Sequence, residues 1–464
     1  MQQGLRPTAG PWDAKQAGRV ALPRAWGWSA IALAARSALA STGDVAPCCQ
    51  SLPSAALACA HAMVSPSLRP AHVLRVRAQQ HVSANAPAVK VGGQNSARRL
   101  VGLGSACVDL LAAVDAYPQP DAKIRTRSLT VTGGGNTANQ LTAAARLGPW
   151  LRPRLWSKLG DDAYGKDICA GLAAEDVDCS EVVVEAGSAS PFTYILVDLA
   201  KHTRTCIHTP GPATRREELL GSAVDRLLED AALCCFDGRL ADAALVLADA
   251  AVQRGIPCLV EAEKPREGLD ALLKQATTVC TSAAFPMSWT AQAELPAALL
   301  AMWERLPRAQ VIVTTLGSEG SVALQRCPPP GGDTSGDQIV DAAALGNALS
   351  DLKAATAGAP PAPAAGSPPV PRTCVSGPIS RIWPSSWGRV LFTPAAVVHP
   401  SDVVDTTGAG DAFIGSLAFG LIEGLQLERT LALASWVAAH KCRLPGPRPG
   451  LPRREQVPPQ LLHA

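Results

Sequence analysis

Asp411 follows two glycines in the run Val403-Val404-Asp405-Thr406-Thr407-Gly408-Ala409-Gly410-Asp411-Ala412-Phe413. That spacing joins a proton acceptor to a place where an anion can sit. Gly408 and Gly410 let the backbone approach a ligand with no Cβ in the way. A helix then starts, marked by Ile414, Leu417, Ala418, Leu421 and Ile422. The unpaired N–H groups of its first turn attract negative charge. A carboxylate at the mouth of such a site is electrostatically awkward if it only holds structure. It is useful if it takes a proton from a hydroxyl attacking a phosphoryl group. The plain alternative is that Asp411 caps the helix, and a short glycine motif does not by itself decide between the two.

A second constellation lies far upstream. Leu100-Val101-Gly102-Leu103-Gly104 reads as a short apolar strand ending in glycines, followed by Ala106 to Leu111. Ligands of open α/β sheets bind at the carboxyl ends of strands, which places Asp109 at such a mouth; a turn or cap residue is the competing reading. Thr132-Gly133-Gly134-Gly135-Asn136-Thr137-Ala138-Asn139-Gln140 then precedes a small-residue helix closed by Gly148. Three glycines and two asparagines offer hydrogen bonds to a polyhydroxylated ligand, because the asparagine amide supplies both donor and acceptor. A glycine loop with a packed helix behind it is the structural alternative.

The run from Asp405 to Asp411 resembles the D-T-x-G-A-G-D signature of the ribokinase-like (PfkB) sugar kinases. The upstream residues are similar to ketohexokinase-like members of that family in Asp109, in Val114-Asp115-Ala116-Tyr117-Pro118, and in Gly134-Gly135-Asn136 with Asn139. The resemblance covers nearly all of 98–451 apart from one insertion. It implies an α/β fold, a ribokinase-like three-layer α/β/α sandwich with a mostly parallel sheet and a small β-sheet lid. It also implies ATP-dependent transfer of the γ-phosphoryl group to a sugar hydroxyl of ketohexose or pentose type.

Carried over residue by residue, the resemblance makes Asp411 the base and Gly408, Ala409, Gly410 and Asp411 the anion hole. Asp109, Gly134, Gly135, Asn136 and Asn139 would hold the sugar. Arg239, in Asp237-Gly238-Arg239 after a strand, would reach a nucleotide phosphate; an exposed salt-bridged arginine is the alternative. Val311 to Ser321 resembles the strand and T-L-G turn that lies against the nucleotide, so Thr315, Gly317 and Gly320 join Thr407 and Gly410 on the ATP side. Mg²⁺ would bridge the phosphates, and Asp405 and Thr407 match positions that in some relatives help bind a monovalent cation such as K⁺. One departure stands out: where many relatives carry N-x-x-E near the metal, this chain reads Cys280-Thr281-Ser282-Ala283-Ala284-Phe285.

These residues need elements to position them. The middle of the chain alternates helix and strand: 215–230, 231–236, 241–254, 257–260, 269–275 and 278–280. That rhythm calls for a parallel sheet with covering helices. Phe192 to Asp198 and Arg204 to Thr209 read as a hairpin around Ala200-Lys201-His202. With 117–132 it forms the lid implied by the family, closing over the sugar to exclude water and offering a surface for a homodimer. His202 and His208 are expected to be solvent-facing. The stretch 327–387 is dominated by Pro, Gly, Ala and Ser, so disorder is expected there, with a short transient helix over 339–355. A strand at Arg389 to Phe392 resumes the fold, a second apolar helix runs from Leu427 to Lys441, the loop to Gly446 resembles the family's closing nucleotide-side loop, and 452–464 is a tail.

The 464 residues suit one large α/β domain or two smaller ones. The formal net charge of +3 does not call for nucleic acid. Through Ala78, eight basic residues face only Asp13 and Asp44, and this Arg-bearing, acid-poor stretch reads as an organelle transit peptide, plastid before mitochondrion, with 1–97 as leader and linker. A secretory signal is the rival. The apolar run 26–35 falls short of the roughly 20 residues a membrane span needs. The 14 cysteines are scattered, with no C-x-x-C pair and no zinc spacing. Two other functions remain open: a nucleoside or sugar-phosphate kinase of the same fold, and a non-catalytic sugar- or nucleotide-binding regulator. Basic residues near the acceptor would favour a phosphorylated substrate, and none clusters beside Asp109 or Asn139 in the sequence. The kinase reading requires Asp109, Asn139 and Asp411 to meet in one cleft.

Overall fold

The computed structural model describes residues 98–201, 203–329, 338–339, 341–356, 375–382 and 386–462. The expected leader, the turn residue His202 and parts of the insertion lie outside the described residues. Short apolar runs separated by helical stretches build a main sheet of 11 strands among the described residues. Six of them are parallel neighbours, in the order Arg154–Trp156, Arg99–Leu103, Ala231–Phe236, Cys258–Ala262, Thr278–Thr281 and Val311–Thr315. Ser321–Arg326 and Ser386–Thr393 continue the sheet antiparallel.

The strands carry apolar side chains on both faces, as a sheet covered on both sides demands. Leu233 and Cys235 enter one core while Cys234 and Phe236 enter the other, following the two-residue period of a strand. One core is closed by the helices Asn136–Leu147, Ala409–Glu423 and Leu427–Lys441, with Leu141, Phe419 and Trp436 fully buried. The other is closed by Ala241–Gln253 and Leu295–Arg305, with Leu247 and Trp303 inside. Three layers result, and the buried cysteines serve as small apolar residues within them.

A second sheet of four strands has the order Ser128–Gly134, Cys107–Val114, Phe192–Asp198, Thr203–Thr209. Here the structure corrects the sequence reading. Asp109 is the third residue of a strand of this lid sheet, not a residue at the end of the first main-sheet strand. Cys107, Val108, Leu111 and Ala112 are buried, and that burial draws 107–114 into the lid. The hairpin turn is held by Asp198, whose Oδ1 accepts the N–H groups of Ala200 and Lys201 at 3.0 and 3.1 Å.

Three further expectations change. The helix over 215–230 breaks into a 3₁₀ turn, Arg216–Leu219, and a helix, Ser222–Leu228, with Gly221 at a positive φ of 60° between them. Part of the insertion is folded: Asp341 accepts the Ala344 N–H at 2.8 Å, capping a helix over Ala342–Ala355. Leu345 and Leu349, one helical turn apart, are buried in the second core, so two apolar side chains suffice where composition masked them. Finally, 452–462 is no free tail. Arg454 donates to the Leu147 carbonyl at 3.1 Å and lies over the Trp150 ring, and Val457 and Leu461 are buried. No described helix is long and apolar enough to cross a membrane.

Candidate active site

The base helix, Ala409–Glu423, starts at Gly408, whose φ of 77° and close approach to Pro447 (2.6 Å from a would-be Cβ) admit only glycine. Gly408 O receives the Ala412 N–H at 2.9 Å. The N–H groups of Ala409, Gly410 and Asp411 therefore have no acceptor within the helix. That of Ala409 turns back to Thr406 O at 3.2 Å, so Gly410 and Asp411 are the two left to face an anion, and space beside Gly410 is open. Arg204 of the lid reaches this turn, donating to Thr406 Oγ1 at 2.8 Å.

Asp411 is nearly buried, at 8 % exposure. Its Oδ2 accepts the Asn139 amide N–H at 2.8 Å across 272 positions of sequence. Burial pushes its carboxyl up to about 7; the Asn139 donor and the Arg239 guanidinium pull it down, and Asp237 and Asp109 raise it. A buried carboxylate tuned toward neutrality is suited to take a hydroxyl proton. Asp109 is buried with its carboxyl against Gly134, where a Cβ would come within 2.3 Å of it. Burial also raises the Asp109 carboxyl, opposed by the Cys107 thiol and by Arg448.

Arg448 ties these parts together, and the sequence reading missed it. Its Nε donates to Asn139 Oδ1 at 2.9 Å and its Nη2 to Gly134 O at 3.0 Å. Arg448 is 7 % exposed. A relay runs from Arg448 through Asn139 to Asp411, fixing the amide so that its N–H faces that carboxylate. The sequence shows no basic cluster beside Asn139; the fold brings one arginine there. The arginine arrives from a loop some 300 positions away, two residues beyond the family-like stretch Lys441 to Gly446, which was the only signal pointing to it.

Asn136 has a parallel arrangement. Its Nδ2 donates to Glu261 Oε1 at 3.0 Å, and its Oδ1 accepts from Arg239 Nη2 at 3.3 Å. Gln140 Nε2 donates to the other oxygen of Glu261 at 2.5 Å. Burial, then Asp411 and Asp237, drives the Glu261 carboxyl well above the usual carboxylate range. Asn136, Asn139 and Gly134 thus meet Asp109 and Asp411 in one constellation, with Gly135 opening the acceptor helix at a φ of 90°.

The expected nucleotide side is more dispersed. Arg239 projects from the carboxyl edge of Ala231–Phe236 and pairs with Glu263 at 3.0 Å while remaining a third exposed. Thr315 ends a parallel strand at the same edge, donating to Thr281 O at 3.1 Å, and Gly317 follows in the open. Gly320 needs to be glycine for a different reason: its φ is 110°, and a Cβ would lie 2.0 Å from the Thr393 carbonyl. No group of three His, Cys, Asp or Glu among the described residues is placed to hold a metal ion. In place of N-x-x-E, Ser282 donates to the Glu263 carbonyl at 2.8 Å.

The residues expected to hold a monovalent cation are already paired within the protein. Asp405 Oδ1 accepts both the N–H and the hydroxyl of Thr407, at 2.8 and 2.7 Å, and Oδ2 accepts the Gly446 N–H at 2.8 Å. The Asp405 backbone carbonyl receives the ammonium of Lys441 at 2.7 Å.

The family model for the pfkB family carbohydrate kinases matches residues 97–359 and 388–454. The chain belongs to that family. Its unmatched gap coincides with the middle and end of the insertion. This pfkB kinase is 22 % identical to mouse ketohexokinase (Mus musculus) over 361 residues, covering 75 % of this chain and 97 % of that one. It is 22 % identical to a ribokinase of Arabidopsis thaliana over 370 residues, covering 77 % and 79 %. The solved structure of Arabidopsis thaliana ribokinase complexed with ribose and ATP shares the fold, with a TM-score of 0.55 at 18 % identity over 78 % of this chain and 98 % of that one.

Proposed function

We propose that this pfkB kinase transfers the γ-phosphoryl group of ATP to a hydroxyl of a ketohexose or pentose, with Asp411 as the base. The observation that carries the reading is the bond between Asn139, in the acceptor motif, and Asp411, at the anion turn. An acceptor hydroxyl between Asp109 and Asp411 meets a carboxylate raised toward neutral pH, while the Gly410 and Asp411 N–H groups await the phosphoryl oxygens. Mg²⁺ would neutralise the phosphates. The relatives support the substrate class: one is a ketohexokinase, and another was solved with ribose and ATP.

Asp411→Asn keeps the shape and removes the base. Turnover is expected to fall by about 10²–10⁴-fold while sugar binding, measured by calorimetry, persists. Turnover at the native level would end the assignment. A panel of sugars, nucleosides and sugar phosphates, read by ATP consumption and product mass, names the acceptor. One observation favours a second acceptor class: Arg448 brings a positive charge beside Asn139, which suits a sugar phosphate.

The same proposal includes a homodimer through the lid, whose strands expose Leu129, Val131 and Ile207. It also includes an organelle leader over 1–97, plastid in preference to mitochondrion, supported by the acid-poor basic composition of that stretch.

A further inference from the structure

Lys441 closes the helix Leu427–Lys441 with its side chain completely buried. Its Nζ donates to the carbonyl oxygen of Asp405, the first residue of the anion turn, at 2.7 Å. Among the described residues no carboxylate oxygen lies within 4.0 Å of this ammonium, so it is not held as half of an ion pair. A buried charge without such a pair is costly and is seldom kept as filler. The charged and titratable groups around it are Asp405, Asp411, Cys442 and Arg204.

We propose that Lys441 is a positioning residue whose ammonium takes the place of a bound monovalent cation, so that this enzyme needs no K⁺. The inference rests on the kinase reading above. A cation such as K⁺ needs several oxygen ligands, and at this turn the Asp405 carboxylate, the Thr407 hydroxyl and the Asp405 carbonyl already have protein partners. Both Asp405 carboxylate oxygens accept protein N–H or O–H donors, the Thr407 hydroxyl proton is given to Asp405, and the Asp405 backbone carbonyl accepts from Lys441. The ammonium is a compact point charge. Fixed to the chain, it pins the turn that carries Gly408 and adds positive charge near the helix N-terminus where phosphoryl oxygens gather. No ion has to bind for the anion site to form.

The test compares the full chain in KCl and in choline chloride at equal ionic strength, by turnover with MgATP and acceptor and by thermal melting. The native enzyme is expected to show the same rate and the same Tm in both salts. Lys441→Met is expected to lose about 10²-fold in turnover in choline, to regain about tenfold in KCl or ammonium chloride, and to melt higher with K⁺ than without. Activation of the native enzyme by K⁺, or a Lys441→Met protein that gains neither rate nor Tm from K⁺, overturns the proposal. Should Lys441→Met not fold without salt, folding restored by K⁺ supports it and failure in both salts leaves the native comparison to decide. If the native chain phosphorylates no acceptor in either salt, the kinase reading has failed, and melting still decides the cation question.

Discussion

Asp411 owes its chemistry to its surroundings more than to its own type. With its carboxyl pushed up to about 7, chiefly by burial, it is largely protonated at pH 6 and ionised at pH 8. Only the ionised form accepts a proton, so kcat/KM for the acceptor is expected to rise through about pH 7 and level off above it. Arg448 bears on this limb. Its positive charge polarises the Asn139 amide that donates to Asp411, favouring the carboxylate. Arg448→Met is therefore expected to move the acid limb alkaline by about one pH unit, a tenfold loss of ionised base at a fixed low pH. A pH–rate profile measured on both proteins checks this; an unmoved limb would show that Arg448 only fills space. At this scale the sequence named Asp411, Asp109, Asn136 and Asn139, because their types and spacing match a motif. It did not pair Arg448 or Glu261 with them, because nothing local to either residue marks it as a partner of an asparagine more than 120 positions away.

Elements bring these residues together through close packing of small side chains. The acceptor helix Asn136–Leu147 and the base helix Ala409–Glu423 pack face to face, and Gly415 lets them approach: a Cβ there would sit 2.3 Å from Gln140 O. Gly134 plays the corresponding part between the lid strand and Asp109. Gly134→Ala would place a methyl 2.3 Å from the Asp109 carboxyl carbon. Its kcat/KM for the acceptor is expected to fall by about 10²-fold, since small displacements of a bound reactant cost that much, while the KM for ATP stays unchanged. Steady-state kinetics in each substrate separates the two. The helix–strand rhythm of the middle was readable from apolar periodicity. The lid strand Cys107–Val114 was not: a run of buried apolar residues reads alike in either sheet, and only its pairing with Phe192–Asp198 assigns it.

At the scale of the whole molecule, the lid sheet carries Asp109 and a helix packed on the main sheet carries Asp411. Arg204 fastens the lid's outer strand to the turn preceding the anion site. The proposed homodimer would use the lid face that exposes Leu129, Val131 and Ile207. Sedimentation is expected to give a dimer for the native chain and a monomer for Val131→Lys with Ile207→Lys, since paired charges on an apolar face oppose association. The leader proposal has its own check: residues 1–97 fused to a fluorescent protein are expected to direct it to an organelle, and cytosolic fluorescence would discard the idea. The insertion shows the limit of composition as a guide. Its Pro and Gly content was plain, yet Leu345 and Leu349 dock a helix on the second core.

The amino-acid order by itself determined the family and the alternating architecture and pointed to the proposed base, because glycine turns and apolar periods are local and each leaves a mark over a few residues. Tertiary structure decided what those residues work against. It set Arg448 on Asn139, gave Glu261 two amide donors, and put the Lys441 ammonium on the Asp405 carbonyl. Charge and hydrogen bonding inside a protein depend on distance through space and on exclusion of water, and neither quantity is written in the spacing of residues along the chain.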